Sequence, residues 1–96
     1  MVRITWDPDA VAHMRDRHGV EPHQAEEALD DPEALLRSPD PASRSGRSDR
    51  YIGWSTSLQQ LLVVIVIRHD GCLFGGNAWP ANASHRKLYE ERRDND

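Results

Sequence analysis

Residues 61 to 67 read Leu-Leu-Val-Val-Ile-Val-Ile, and this run decides the fold. It is rich in β-branched residues and too short to cross a membrane as a helix, so it predicts a strand buried on both faces. Asp70-Gly71 then predicts a hairpin turn, followed by a strand from Cys72 to Ala78 in which Gly75-Gly76 favours a bulge. The run is therefore expected to form the centre of a sheet.

Further elements flank this hairpin on both sides. Arg50 to Thr56 alternates in polarity and predicts the strand that precedes the central one, whereas Ala34 to Leu36 is compatible with the start of another strand. On the C-terminal side, Asn82 and Ser84 are candidate caps for a helix that ends near Arg93. The meander of three strands is thus followed by one helix.

The N-terminal third predicts a short strand and two helices. Val2 to Trp6 indicates the strand, and Asp7-Pro8 is typical of a helix start, with Gly19 ending that helix after His18. Glu21-Pro22 repeats the start signal, and the second helix is expected to end at Asp30-Asp31-Pro32. Together the elements predict an α+β domain, with a small antiparallel sheet, an N-terminal helical hairpin and a C-terminal helix.

Composition narrows the class of protein. A length of 96 residues predicts one domain spanning residues 1–96, and a hydrophobic fraction of 38% predicts that this domain folds although its mean hydropathy is -0.75. Cys72 is the only cysteine, which excludes an internal disulfide and a cysteine-based zinc site. No apolar run reaches membrane-span length and the first residues do not resemble a signal peptide, so we expect a cytoplasmic protein without membrane contact.

Charge is distributed unevenly along the chain. Residues 1 to 36 contain three arginines and nine acids, a net charge of -6, whereas residues 37 to 50 contain four arginines and two acids, a net charge of +2. The whole chain carries -4, which argues against a surface that attracts nucleic acid everywhere. An arginine-bearing segment can still bind phosphate locally, because screening limits the reach of each distant acid.

The order of local motifs resembles the BrnT family of bacterial toxins over nearly the whole chain. The resemblance is carried by Trp6-Asp7-Pro8, Arg17-His18-Gly19-Val20, Ala25, Asp30-Asp31-Pro32, Arg50-Tyr51-Ile52-Gly53-Trp54-Ser55, the strand from Leu61 to Ile67, and Arg86, Tyr89 and Glu90. It implies a RelE-like fold, a type II toxin that cuts RNA without a metal or other cofactor, and neutralisation by a BrnA-like, DNA-binding antitoxin. A hetero-oligomer with that antitoxin is therefore expected.

The chain departs from the family pattern after its last strand. Family members commonly have Ser-Ala-Arg-Lys-Ala-Thr where this chain has Asn77-Ala78-Trp79-Pro80-Ala81-Asn82. Trp79-Pro80 thus replaces the Arg-Lys pair, and His85 stands where the family has a helical glutamate. Another residue supplies the missing charge, or the chemistry differs, or catalysis has been lost.

RNA cleavage by the ribose 2′-hydroxyl needs a base, an acid and groups that stabilise negative charge on phosphorus. Histidine and arginine supply these functions near neutral pH. The predicted catalytic residues are His85, Arg86, Tyr89 and Arg50, and the predicted substrate-binding residues are Arg68, Trp79, His18 and Arg17. No metal site is predicted, because His13, His18 and His23 are spaced unsuitably on interrupted helices.

Several of these residues also have ordinary structural interpretations. His18 lies at a helix end where capping or packing is common, and Arg50 at a strand start is typical of a protected sheet edge. Trp6 and Trp54 are expected in the core. The sequence therefore supports two hypotheses: an endoribonuclease toxin, or a non-catalytic protein of the same fold that only binds a partner.

Overall fold

The computed structural model describes residues 3 to 94 and has α+β architecture. Three helices pack on a five-stranded sheet in the spatial order β1-β5-β4-β3-β2. The strands are β1 (Thr5–Trp6), β2 (Leu35–Arg37), β3 (Ser48–Ser55), β4 (Gln60–His69) and β5 (Cys72–Pro80), and the helices are α1 (Pro8–His18), α2 (Pro22–Asp30) and α3 (Ala83–Asp94). No helix in the described part of the chain is both long and apolar enough to span a membrane.

The sheet is mixed rather than antiparallel, which corrects the sequence-based prediction. β2, β3, β4 and β5 pair antiparallel, but β1 pairs parallel with β5 through Thr5 opposite Phe74 and Trp6 opposite Gly75. A parallel neighbour needs a long crossover between the two strands, and everything from α1 to β4 supplies it here. The predicted strand began at Val2, which lies outside the described residues.

Local signals explain the two N-terminal helices. The Asp7 side chain accepts a hydrogen bond from the Asp9 backbone N–H at 3.2 Å, and Gly19 ends α1 at φ 66°. In α2, the Glu21 N–H donates to Gln24 Oε1 at 2.9 Å, which closes a capping box. Both helices lie on the same face of the sheet, where α1 packs on β5 and α2 on β3 and β4.

The central strand β4 is buried on both faces, as its sequence predicts. Leu62, Val64 and Val66 face α1 and α2, whereas Leu61 and Val63 pack against Tyr89 of α3 on the other face. Trp54 was expected in the core, but its relative exposure is 37%. It lies on the α3 side of the sheet, where that single helix covers less of the surface than the two helices opposite.

The hairpin between β4 and β5 is irregular where its glycines predict a bulge. Ile65 pairs with Asn77 while Val66 pairs with Gly75, so Gly76 is the extra residue. Asp70 and Gly71 both adopt positive φ in the turn, as expected of the Asp-Gly signal. The bulge shifts the register of β5 against β4 by one residue, in a part of the sheet that α3 does not cover.

Candidate functional site

Arg50 and His85 come together on the α3 side of the sheet. Arg50 on β3 pairs with Ile65 on β4, which places its side chain on the same face as Leu61 and Val63. Asn82 accepts a hydrogen bond from the His85 backbone N–H at 2.9 Å and fixes the first turn of α3. The guanidinium Nη1 of Arg50 then lies 3.4 Å from His85 Nε2.

Two aromatic rings complete this cluster. Trp79 on β5 pairs with Val63, so its ring lies on the same face, with the Arg50 guanidinium carbon 5.9 Å from the ring centre. The His18 ring, at the end of α1, approaches Trp79 with 6.2 Å between ring centres. We call Arg50, His85, Trp79 and His18 the histidine–arginine cluster. Its members come from β3, α3, β5 and α1.

A buried carboxylate that the sequence analysis missed orients Arg50. Asp40 Oδ1 lies 3.0 Å from Arg50 Nε, close enough for an ion pair although the N–H does not point along a hydrogen bond. The Asp40 backbone N–H donates to the Ser48 carbonyl at 2.7 Å, which holds the acid beside the start of β3. The only sequence signal was an acid within a basic segment, and such a signal does not reveal a contact.

The environment of His85 favours its neutral form. Burial lowers the pKa of His85 below 6.5, and the positive charge of Arg50 lowers it further. Because Arg50 can only donate, Nε2 is the acceptor and the ring proton belongs on Nδ1, which is buried and bonds none of the described residues. Near neutral pH the ring therefore presents a basic Nε2, and its 3.4 Å contact is long for a hydrogen bond.

Tyr89 and Arg86, predicted to be catalytic, lie elsewhere. Tyr89 follows His85 by one helical turn and faces the sheet, but its hydroxyl donates to Asp31 Oδ2 at 2.7 Å. The same oxygen accepts the Trp54 backbone N–H at 2.8 Å, so Asp31 joins the end of α2 to β3 and α3. Arg86 is exposed and lines a small hollow with Trp54 and Tyr89. Of the four predicted catalytic residues, Arg50 and His85 meet.

The remaining predicted binding residues divide in the same way. Trp79 and His18 belong to the histidine–arginine cluster, whereas Arg68 donates to Asp49 at 2.9 and 3.1 Å and to the Gly46 carbonyl at 2.8 Å. Arg68 pairs with Leu73, on the opposite face of the sheet from Arg50. Arg17 is exposed on α1 beside His18. Arg68 therefore stabilises the loop before β3 and lies outside the cluster.

Among residues 3 to 94, no three His, Cys, Asp or Glu side chains group in a way that could hold a metal ion. What the cluster offers is a neutral imidazole, a second imidazole, a guanidinium and an indole face. These groups can accept a proton, donate a proton, bind an anion and stack on a planar base, respectively.

Comparison with known proteins adds no relative to this picture. No protein-family model matches the chain, and no curated protein sequence matches it either. The functional interpretation therefore rests on the geometry of the cluster and on the motifs of the chain itself.

Proposed function

We propose that this protein is a metal-independent endoribonuclease, the toxin of a bacterial type II toxin–antitoxin pair of the BrnT type, with a RelE-like fold. The observation that carries the proposal is the approach of Arg50 Nη1 to His85 Nε2 beside the Trp79 ring. Attack by a ribose hydroxyl on its own phosphate requires a base and a group that stabilises the negative charge on phosphorus, and an aromatic face can hold a neighbouring base. The BrnT-like motifs supply the biological context.

In the proposed reaction, His85 Nε2 takes the proton of the 2′-hydroxyl as its oxygen attacks phosphorus. Arg50 stabilises the negative charge that develops on the phosphoryl oxygens. The bond from phosphorus to the 5′-oxygen then breaks, and the His18 ring donates a proton to that oxygen. The products are a 2′,3′-cyclic phosphate and a 5′-hydroxyl, and Trp79 holds a neighbouring base by stacking.

The proposal includes a partner and a place of action. A BrnA-like antitoxin that binds DNA would neutralise the toxin in a hetero-oligomer, and both would act in the cytoplasm. Residues 1 to 36 carry a net charge of -6 and include α1 and α2, which lie on the face of the sheet opposite α3, although His18 at the end of α1 reaches the cluster. A basic surface of the antitoxin would complement these helices.

The direct test is cleavage of RNA by the purified protein in the presence of EDTA. We expect fragments that end in 2′,3′-cyclic phosphate, and a loss of about 100-fold or more in rate for His85→Gln and for Arg50→Gln. His23→Gln, which changes an exposed histidine on α2, is the matched control and should cut as the native protein does. Intact RNA with the native protein would contradict the proposal.

One observation favours the second function, a non-catalytic protein that binds a partner. Arg50 is already paired with buried Asp40, which reduces the positive charge available to a phosphate, and Trp79-Pro80 stands where the family has Arg-Lys. Growth arrest on expression, without cyclic phosphate ends and without sensitivity to His85→Gln, would support this function. Detection of cyclic phosphate ends would eliminate it.

A further inference from the structure

A second arginine lies beside the histidine–arginine cluster, on the edge strand β2. Arg37 pairs with Arg50 across the antiparallel ladder of β2 and β3. Residues that pair in this way have their side chains on the same face of the sheet, with Cβ atoms about 5 Å apart. Leu35, two residues earlier on β2, packs with Ile52 and Tyr89 on the α3 side. Arg37 therefore projects from the face of the sheet that carries the cluster.

Exposure and the lack of a partner distinguish Arg37 from Arg50. The side chain of Arg50 is 21% exposed and is paired with Asp40, whose own side chain is 7% exposed. Arg37, at the end of β2, is exposed, and within residues 3 to 94 its guanidinium makes no ion pair or hydrogen bond. The five N–H donors of Arg37 are therefore available to a ligand.

The charges at this position leave an excess of one positive charge. Arg37 and Arg50 contribute two positive charges, and the Asp40 carboxylate offsets one of them. His85 adds none near neutral pH, because its pKa is lowered by burial and by Arg50. Like charges directly opposite each other on neighbouring strands destabilise a sheet. A bound monoanion would balance the remaining charge, and a phosphodiester carries one negative charge.

We propose that Arg37 is a phosphate-binding residue of the cluster and holds the phosphate that is cut together with Arg50. A guanidinium binds phosphate best through two parallel N–H···O bonds, but the Nε edge of Arg50 already faces Asp40. Arg37 offers an unoccupied guanidinium on the neighbouring strand, within reach of the same phosphate. This inference rests on the proposed function, because it names a further ligand for the phosphate of the same substrate.

The probe is a dinucleoside monophosphate whose 2′-hydroxyl is methylated. It carries a single phosphodiester and cannot be cut by 2′-hydroxyl attack, so binding is measured apart from catalysis. Its binding at physiological salt is followed by NMR through the ring protons of His85, for the native protein, Arg37→Gln, Arg37→Lys and Arg47→Gln. Cleavage of RNA and unfolding in urea are measured on the same four proteins.

Arg47→Gln is the matched control. Arg47 is exposed as Arg37 is, so each substitution by glutamine removes one accessible positive charge. The Nη1 atom of Arg47 lies 3.4 Å from Nδ1 of His69 at the end of β4, whereas Arg50 pairs with Ile65, four residues earlier on that strand. Roughly 13 Å of strand thus separates the control from the cluster, which exceeds the screening length of about 8 Å at physiological salt.

We expect Arg37→Gln to weaken binding of the probe by about tenfold or more, because a charge-assisted contact to phosphate is lost. Arg37→Lys keeps the charge without the planar fork and should fall between Arg37→Gln and the native protein. Arg37→Gln should also lower both kcat and kcat/KM for RNA, since negative charge on the phosphoryl oxygens grows in the transition state. Its free energy of unfolding should not fall, because repulsion from Arg50 is relieved. Arg47→Gln should bind and cut as the native protein does.

Several results would decide against this inference. If RNA is cut, but Arg37→Gln cuts as the native protein does and the probe binds both equally or neither, the inference fails and the proposed function stands. Loss of stability in Arg37→Gln that accompanies its loss of binding would assign a structural role to Arg37. Loss of affinity for the product of an adjacent gene, with binding of the probe unchanged, would assign Arg37 to a protein interface. Probe binding that depends on Arg37, with RNA left intact, would support the phosphate site and contradict the proposed function.

Discussion

His85 shows how one side chain is adjusted by its neighbours. An exposed histidine titrates near the pH of the cell and is charged for part of the time. Here burial disfavours the imidazolium ion, and the Arg50 charge 3.4 Å away disfavours it further. Burial and the Arg50 charge keep the ring neutral with Nε2 as a hydrogen-bond acceptor. The position of His85 in the fold therefore makes it a candidate base.

The first prediction concerns the pKa of His85, measured by NMR titration of its ring protons. It should lie below 6.5 in the native protein and rise in Arg50→Met, because the nearby positive charge is removed. Since burial remains, the value should not reach that of an exposed histidine. Arg15→Met, on α1 across the sheet, should leave the pKa of His85 unchanged.

The same lowered pKa has a consequence for stability. The unfolded chain binds a proton at His85 at a higher pH than the folded chain does. The free energy of unfolding contributed by this residue therefore falls as the pH falls through 6.5 towards the folded pKa. A His85→Gln variant should lack that part of the pH dependence in urea unfolding, whereas equal pH dependence in both proteins would show that the ring is not desolvated.

At the scale of elements, α2 lies so close to β3 that position 53 on the strand has no room for a side chain. A Cβ atom placed on Gly53 would lie 2.0 Å from the Ala28 carbonyl oxygen, which belongs to the helix backbone. The buried residues of α2 are Ala25, Ala28 and Leu29, and the small side chains of the two alanines let the helix lie this close to β3. Glu27 strengthens the same junction by accepting hydrogen bonds from Ser55 and Ser57 at 2.8 to 2.9 Å.

A prediction about stability follows from this close approach of α2 to β3. Gly53→Ala should lower the free energy of unfolding by about 3 kcal/mol, because α2 must move away from the sheet to admit the methyl group. Gly76→Ala is the comparison: its Cβ would lie 3.0 Å from the flexible end of Ile67, and the loss should be clearly smaller. Urea unfolding of the two variants measures both. Equal losses would mean that α2 does not lie as close to β3 as described.

At the scale of the whole molecule, the two faces of the sheet differ in charge and in cover. α1 and α2 lie on one face of the sheet and carry most of the acids. α3 lies on the other face and carries the exposed Arg86, and the exposed Arg47 lies just before the start of β3. Mutual repulsion among the acids is reduced by their distribution over two helices and by pairs such as Arg15 with Glu21. The molecule thus presents two surfaces suited to different partners.

A prediction at this scale concerns the acidic surface and the antitoxin proposed above, for which the product of an adjacent gene would be tested. Binding of that protein should weaken steadily as salt is added, because exposed charges are screened. Asp16→Asn with Glu26→Gln should reduce both the affinity and its salt dependence, whereas Lys87→Gln on α3 serves as the control. Isothermal titration calorimetry at several salt concentrations measures this, and affinity that is independent of salt would exclude an electrostatic interface.

Sequence alone determined the elements and much of their packing. The alternation of Arg50 to Ser55, the apolar run of β4, the Asp70-Gly71 turn and the signals around α1 are local, and local sterics and hydrogen bonds decide such features without the rest of the chain. Arg50, His85, Trp79 and His18 were also predicted from the sequence to belong to one site, together with Arg86, Tyr89 and Arg68, which lie elsewhere.

Tertiary structure alone decided which of these groups meet. The parallel pairing of β1 with β5 and the bond from Tyr89 to Asp31 join residues that are far apart in the chain, and the ion pair of Asp40 with Arg50 depends on how the loop before β3 folds back. Such contacts depend on the order of strands and on the angle at which each helix crosses the sheet, and no local pattern encodes either. His85 and Tyr89 lie on the same side of α3, yet a single helical turn, about 5.4 Å long, takes one to Arg50 and the other to Asp31.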